Sequence, residues 1–199
     1  MTRKEQKEER KRAILMTALN LFVERGYYDT KITDIAKAVP MSTGLLFHYF
    51  ESKDALMGSL SYLFDEKYEE LMETLGPELD PLEKLIQMNR ELFVMIENTV
   101  SVTVLSQLFS TQLVTKGEKH LLEPDRTYYR LLRQIAIEGQ EQGLFREDLS
   151  VNDIMRAYAM FERGMMYDWC LAGGNYSLTQ YSQQILPLFL KGLCAPAAQ

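Results

Sequence analysis

The residues best suited to contact chemistry lie between Thr33 and Leu56. Ile35, Ala36, Val39, Leu46 and Phe50 are spaced to pack two short helical segments together, with Pro40 interrupting between them. Two helices of about two turns each, joined by a tight turn, have the dimensions of a helix-turn-helix. The second helix of such a unit enters the major groove of DNA with its N-terminal residues nearest the bases. Here those residues are Ser42, Thr43, Gly44 and Leu45, small or neutral, so the backbone can approach a duplex closely. Thr43, Leu45, Phe47 and His48 are left to face outward. At that place on the helix, His48 fits a phosphate or base contact better than a packed ring.

The elements that must position these residues read as helices. Ile14, Ala18, Leu21 and Phe22, with Leu15, Leu19 and Val23, recur at amphipathic-helix spacing, and Gly26 follows as a stop. Ser42 caps the second short segment, and Ser52 caps a long amphipathic stretch from Lys53 to Leu75 that ends at Gly76-Pro77. Asp80-Pro81-Leu82-Glu83, Pro124-Asp125, Ser150 with Asp153, and Ser177 with Gln180 open further helices. Gly117, Gly143 and Gly173-Gly174-Asn175 mark breaks, and a further helix is expected at roughly 101–115. The expected fold is all-α, with about nine helices: a three-helix head carrying the helix-turn-helix, and a larger helical body. The boundary is placed at residue 52, giving a DNA-binding domain over 1–52 and a larger helical domain over 53–199.

Charge supports that division. The chain of 199 residues carries a net charge of −6, but residues 1–56 hold 10 Lys and Arg against 8 Asp and Glu, and residues 57–199 hold 12 against 20. A slightly basic head on an acidic body suits a polyanion-binding module carried by a domain that repels polyanions. The alternating charges from Arg3 to Arg12 fit a solvated helix face, the alternative being a DNA-grasping arm from Arg3 and Lys4. No apolar run approaches the ~18 residues of a membrane span, and the charged N-terminus does not read as a secretory signal. Cys170 and Cys194 make no disulfide framework, so a cytoplasmic setting is expected, with no membrane association. His48 and His120 have no ligand neighbours at metal-site spacing, and no phosphate loop or nucleophile elbow occurs. A metal, a cofactor and an enzymatic function are therefore not expected.

The segment resembles the DNA-binding domain of TetR-family transcriptional regulators. Asp34-Ile35-Ala36, Ser42-x-Gly44, Leu46, Tyr49-Phe50 and Ser52-Lys53 match in order and spacing, preceded by Leu21-Phe22 and Gly26-Tyr27. Gly143-Leu-Phe-Arg followed by Asp148-Leu and a final helix pair also looks like that family. The resemblance implies that Ser42, Thr43, Gly44, Leu45, His48 and Tyr49 approach bases or backbone. It also implies that Lys53, with Lys31 or Thr33, meets phosphates. Three departures stand out: Pro40 takes the place of the family's turn glycine, Phe47 replaces a phosphate-binding Tyr, and Leu45 replaces a commoner polar residue. Leu45 could read only a thymine methyl.

The resemblance further implies an effector cavity in the body and a homodimer. Candidate cavity residues are Met88, Phe93, Phe109, Tyr128, Tyr158, Phe161, Met165 and Trp169, since Met repacks easily and aromatics offer flat surfaces. The helix from Ser150 has two apolar stripes, more than a helix exposed to water needs. Met155, Ala159 and Met166, with Tyr181, Ile185, Leu188 and Phe189 of the final helix, are the candidate dimer contacts. Glu162 is a candidate counter-charge for the effector, or else an interface or surface carboxylate, and the acidic body favours a cationic or neutral lipophile. The function these features imply is a ligand-responsive DNA-binding repressor, released from double-stranded operator DNA by a small apolar effector. The alternative is a ligand-sensing or adaptor protein that has lost operator binding, resting on Pro40, Leu45 and Phe47.

Overall fold

A computed structural model describes residues 2–76, 78–114 and 119–196; Pro77, Gly117 and the Lys4 side chain lie outside the described set. The described residues form ten α-helices and one short 3-10 turn, with no strand beyond an isolated bridge between Phe145 and Cys194. No single described helix is long and apolar enough to cross a membrane. The chain divides into two compact units, one of residues up to Tyr62 with Thr103–Leu122, the other of Leu63–Val102 with the residues from Glu123 on.

The first unit holds α1 (Arg3–Arg25), α2 (Ile32–Ala38), α3 (Thr43–Tyr49), α4 (Lys53–Gly58), the start of α5 (Leu60–Thr74) and most of α7 (Val102–Val114). Thr2 and Glu5 cap α1 reciprocally, and Gly26, with φ +87°, ends it by donating its N–H to Phe22 O. The core gathers Ile14, Ala18 and Phe22 of α1, Ile35 and Ala36 of α2, Leu46 of α3, and Leu56 and Met57 of α4, all essentially inaccessible. Pro40 does not disturb the turn between α2 and α3. Val39 N–H reaches Ile35 O and Met41 N–H reaches Ala36 O, both at 3.0 Å, and the described residues show no positive φ outside glycine. The turn therefore closes without the left-handed residue that a glycine would supply.

The stretch from Lys53 to Leu75 is not one helix. It breaks at Ser59, where Ser59 Oγ donates back to Ala55 O and Ser61 Oγ to Gly58 O, side-chain bonds that compete with the helical ladder. Gly58 sits against the His120 ring, and an added Cβ would lie 2.2 Å from it. This break is why ten helices appear where the periodicity suggested about nine.

The second unit holds the rest of α5, α6 (Pro81–Thr99), α8 (Thr127–Glu141), α9 (Val151–Leu171) and α10 (Leu178–Leu190). Three of its helix starts are those expected: Asp80 with Glu83, and Ser150 with Asp153, form reciprocal caps, and Ser177 Oγ accepts from Gln180 N. Helix α8 instead starts at Thr127, after a turn at Pro124-Asp125, with Arg126 as an N-cap whose side chain makes no capping bond. α6 packs on α8 and α10, and α9 on both of the same helices. Two further ties cross the bundle. Arg126 grips Asp65 through Nε at 2.8 Å and Nη2 at 3.1 Å, a buried pair made worthwhile by its bidentate geometry. Glu97 accepts from the N–H groups of Leu178 and Thr179, placing negative charge at the N-terminus of α10.

Candidate nucleic-acid interface and effector core

α3 is the element on which the contact residues are mounted. Ser42 Oγ accepts Leu45 N–H at 3.2 Å, fixing the first turn, while Leu46 and Phe50 bury one face against the first unit's core. That anchoring leaves Ser42, Gly44, Leu45, Phe47 and His48 exposed, with Thr43 and Tyr49 half-buried. Nothing lies within 4 Å of where a Gly44 Cβ would stand, so the start of α3 is open to an approaching surface. Phe47 is 45% exposed, a large apolar ring held toward solvent. Lys31 and Thr33 are also exposed at the start of α2, where Asp34 accepts Lys31 N–H at 3.0 Å.

Lys53 lies differently from the rest of this set. Its ammonium donates to Tyr27 O at 2.6 Å and Thr30 O at 3.1 Å, and sits 4.2 Å from the centre of the Tyr27 ring. Partial burial lowers its pKa from the ordinary lysine value, against the opposing pull of Asp54 and Asp29. The charge thus ties α4 to the loop between α1 and α2. The Tyr27 hydroxyl in turn donates to Asp54, and burial, then Asp54, raise its pKa.

The candidate effector residues fall into three groups. Met88, Phe93, Tyr128, Tyr158 and Trp169 are buried in the second unit, where Trp169 Nε1 donates to Tyr176 O at 2.9 Å. Phe161 and Met165 are half-buried, and Phe161 stacks on Phe189 with ring centres 4.7 Å apart. Phe109 is half-buried and belongs to the first unit.

Glu162 is neither a surface nor an interface carboxylate. It is 1% exposed, at the centre of the second unit. Its Oε1 lies 2.9 Å from Asn89 Nδ2 and 3.0 Å from the Tyr158 hydroxyl, and its Oε2 accepts from the Tyr128 hydroxyl at 2.8 Å. Asn89 Oδ1 accepts from Ser182 Oγ at 2.6 Å, so one polar network joins α6, α8, α9 and α10. Burial raises the Glu162 pKa, opposed by the hydrogen bonds from Asn89, Tyr128 and Tyr158. Burial, and then the charge of Glu162, push the Tyr128 and Tyr158 hydroxyls well above the usual tyrosine range. In sequence only Tyr158, one turn before Glu162, hinted at this; the other partners lie 73 and 34 residues away.

The α9 and α10 surface is also phased differently from expectation. Met155, Ala159 and Met166 are buried within the chain, Ile185 and Phe189 are half-buried, and Tyr181 and Leu188 are exposed. The exposed apolar stripe of α9 is instead Met160, Tyr167 and Leu171, with Gly164 between them, at i, i+4, i+7 and i+11. Both stripes read from the sequence, the one through Tyr158, Phe161, Met165 and Trp169 and the one through Met155, Ala159 and Met166, are buried or half-buried within the chain, and the exposed stripe is a third.

The chain matches the profile of bacterial regulatory proteins of the tetR family over residues 14–60, and that of the YsiA-like protein C-terminal region over residues 63–192. The chain belongs to the TetR family. It is a ligand-responsive, DNA-binding transcriptional repressor with the all-α architecture of that family. The transcriptional repressor KstR2 of Mycolicibacterium smegmatis is 28% identical over 190 residues, covering 92% of this chain and 90% of its own length. Among solved TetR-like folds, Thermus thermophilus FadR in complex with lauroyl-CoA superposes with a TM-score of 0.73 at 24% identity, covering 94% of this chain and 97% of its own. Bacillus subtilis FadR in complex with stearoyl-CoA gives 0.67 at 23% identity, covering 90% and 97%. TetR-family repressors bind operator DNA and small molecules and are typically dimers.

Proposed function

We propose that this TetR-family repressor reads its operator through Ser42, Thr43, Gly44, Leu45, Phe47, His48 and Tyr49 of α3. Lys31 and Thr33 contact the flanking phosphates, and Lys53 braces the head. In this reading residues 1–52 are the DNA-reading head and 53–199 sense the effector and hold the dimer, with no catalytic role. The observation that carries it is the presentation of α3: its apolar face is locked into the head while its capped, open N-terminus faces solvent. Two such helices in a homodimer would enter major grooves about 34–36 Å apart. The exposed stripe Met160, Tyr167 and Leu171, with Tyr181 and Leu188 of α10, is the face offered to the second copy.

The effector we assign is a fatty-acyl thioester. Its apolar chain suits the Met- and aromatic-lined bundle, and two relatives of the same fold hold lauroyl-CoA and stearoyl-CoA. This departs from the cationic or neutral lipophile that net charge favoured, because a coenzyme A headgroup is anionic. Charge summed over a whole domain says little about one cavity. The effector favours a dimer whose recognition helices are wrongly spaced, so DNA and effector each weaken the other's binding equally. The test is selection of duplexes from a random library by the purified protein, followed by titration with lauroyl-CoA and with free coenzyme A. Recovery of a two-fold-symmetric site released by lauroyl-CoA alone is expected. Failure to select any duplex would return the chain to the reading in which operator binding has been lost.

A further inference from the structure

We propose that the first three turns of α1 form a second DNA-contacting surface, one that tracks the sugar-phosphate backbone beside the recognition helix; it rests on the DNA-binding reading above. Arg3, Lys7 and Arg10 stand at i, i+4 and i+7 of α1 and are exposed. At about 100° per residue they fall within roughly 60° of one another around the helix axis. Glu5 and Glu8 stand on the other side of the helix, where Glu8 pairs with Lys11 at 3.6 Å, so they leave the Arg3, Lys7 and Arg10 edge predominantly basic. The basic face does not look out at random. It lines a groove of about 810 Å³ whose other wall includes His48 and Tyr49, at the C-terminal end of α3, with Glu9 also bordering it.

Continuity with α3 selects the occupant. When the N-terminal residues of α3 reach the bases, its C-terminal end lies toward the wall of the major groove, which is sugar and phosphate. From Arg3 to Arg10 α1 rises about 10.5 Å, close to the roughly 12 Å width of that groove and to about three phosphates of one strand at 3.4 Å of axis each. The acidic remainder of the chain makes this placement consequential. Residues 57–199 carry 20 acidic against 12 basic side chains, so local cations must hold the head on a polyanion. A peptide or a small anion would gain little from three cations spread along a rod, whereas a regularly charged duplex matches them one to one.

The test is the salt dependence of binding by the full-length protein, using the duplex selected above and an unrelated duplex of the same length. Arg3→Gln/Lys7→Gln/Arg10→Gln should lower the slope of log K against log salt by about 2.7, or about 0.9 per contact, and weaken binding up to about 500-fold at 0.1 M salt. Both duplexes should be affected, because phosphates carry no sequence information. Arg133→Gln/Arg156→Gln/Lys191→Gln, which changes net charge equally from the second unit, should leave the slope in place. Lys7→Gln alone should remove about 0.9 of slope and covers the case in which the triple variant melts early. A triple-variant slope within one unit of wild type, or an equal fall in the second-unit control, would overturn the proposal while leaving operator binding by α3 intact. Absence of binding by the wild-type protein would instead overturn the reading on which it rests.

Discussion

Replacing Glu162 tests the core of the effector unit, because the direction of one hydrogen bond beside it depends on its protonation state. The Tyr158 hydroxyl has one proton and two acceptors in reach, Leu85 O at 2.8 Å and Glu162 Oε1 at 3.0 Å. If that proton serves Leu85, Glu162 must be the donor to Tyr158, which makes it a neutral acid, in line with the upward push of burial on its pKa. Glu162→Gln then keeps the shape and the donor: Asn89 can turn its amide over and Ser182 can reverse its hydroxyl, at a cost below about 1 kcal/mol. Glu162→Ala leaves the Tyr128 hydroxyl and the Asn89 amide without partners, at about 1–3 kcal/mol each, and adds a cavity, so a loss of about 3–5 kcal/mol is expected. Urea unfolding at fixed protein concentration, from pH 5 to pH 9, measures both. A carboxyl whose folded pKa is raised contributes stability that is fully present below the ordinary carboxylate range and is lost as pH rises through the folded value. The advantage of wild type over Glu162→Gln should therefore shrink as pH rises. Glu162→Gln costing as much as Glu162→Ala, or a wild-type advantage that grows with pH, would show that the buried group is an ion.

Three further substitutions probe the head and the bundle. Phe47→Tyr restores a hydroxyl at an exposed position of α3 and should tighten operator binding by about tenfold, or about 1.4 kcal/mol; unchanged affinity in a mobility-shift titration would show that residue 47 faces no phosphate. Lys53→Ala removes two bonds from the ammonium to loop carbonyls and should lower stability by about 1–3 kcal/mol, discounted for its partial exposure, without changing the salt slope of DNA binding. A slope reduced by about one would instead return Lys53 to the phosphate contacts. Gly139→Ala should gain about 1 kcal/mol of helix propensity, yet its Cβ would stand 2.1 Å from the ring of fully buried Phe145. Overpacking there should prevail, and thermal melting should show a net loss of about 1–2 kcal/mol.

What was legible in the sequence was what is local in the chain. Ser42 with Leu45, Asp80 with Glu83, and Ser150 with Asp153 settle their helix starts within one turn, so the types and spacings of those residues suffice to find them. The orientation of α3 was readable for the same reason, since Leu46 and Phe50 are one turn apart and share a face. The break at Ser59 was not, because the apolar periodicity runs on through it, and the His120 ring packed against Gly58 there comes from 62 residues away. Periodicity showed two apolar stripes on α9 but not that the chain's own helices cover both, so Met155, Ala159 and Met166 were assigned to a partner and the exposed stripe of Met160, Tyr167 and Leu171 was missed. Glu162 was read from its charge as a contact for something outside the chain. Its partners on two other helices, Asn89 of α6 and Tyr128 of α8, make it an internal one.

The measurement that tests the central claim most directly is the coupling between effector and operator. Trp169 is the single tryptophan, buried in the second unit, so lauroyl-CoA affinity can be followed by its emission with and without saturating operator duplex. The factor by which operator weakens lauroyl-CoA binding should equal the factor by which lauroyl-CoA weakens operator binding, and should lie in the range of about 5–150. Emission that reports lauroyl-CoA binding with the same affinity whether or not operator is bound would contradict the account.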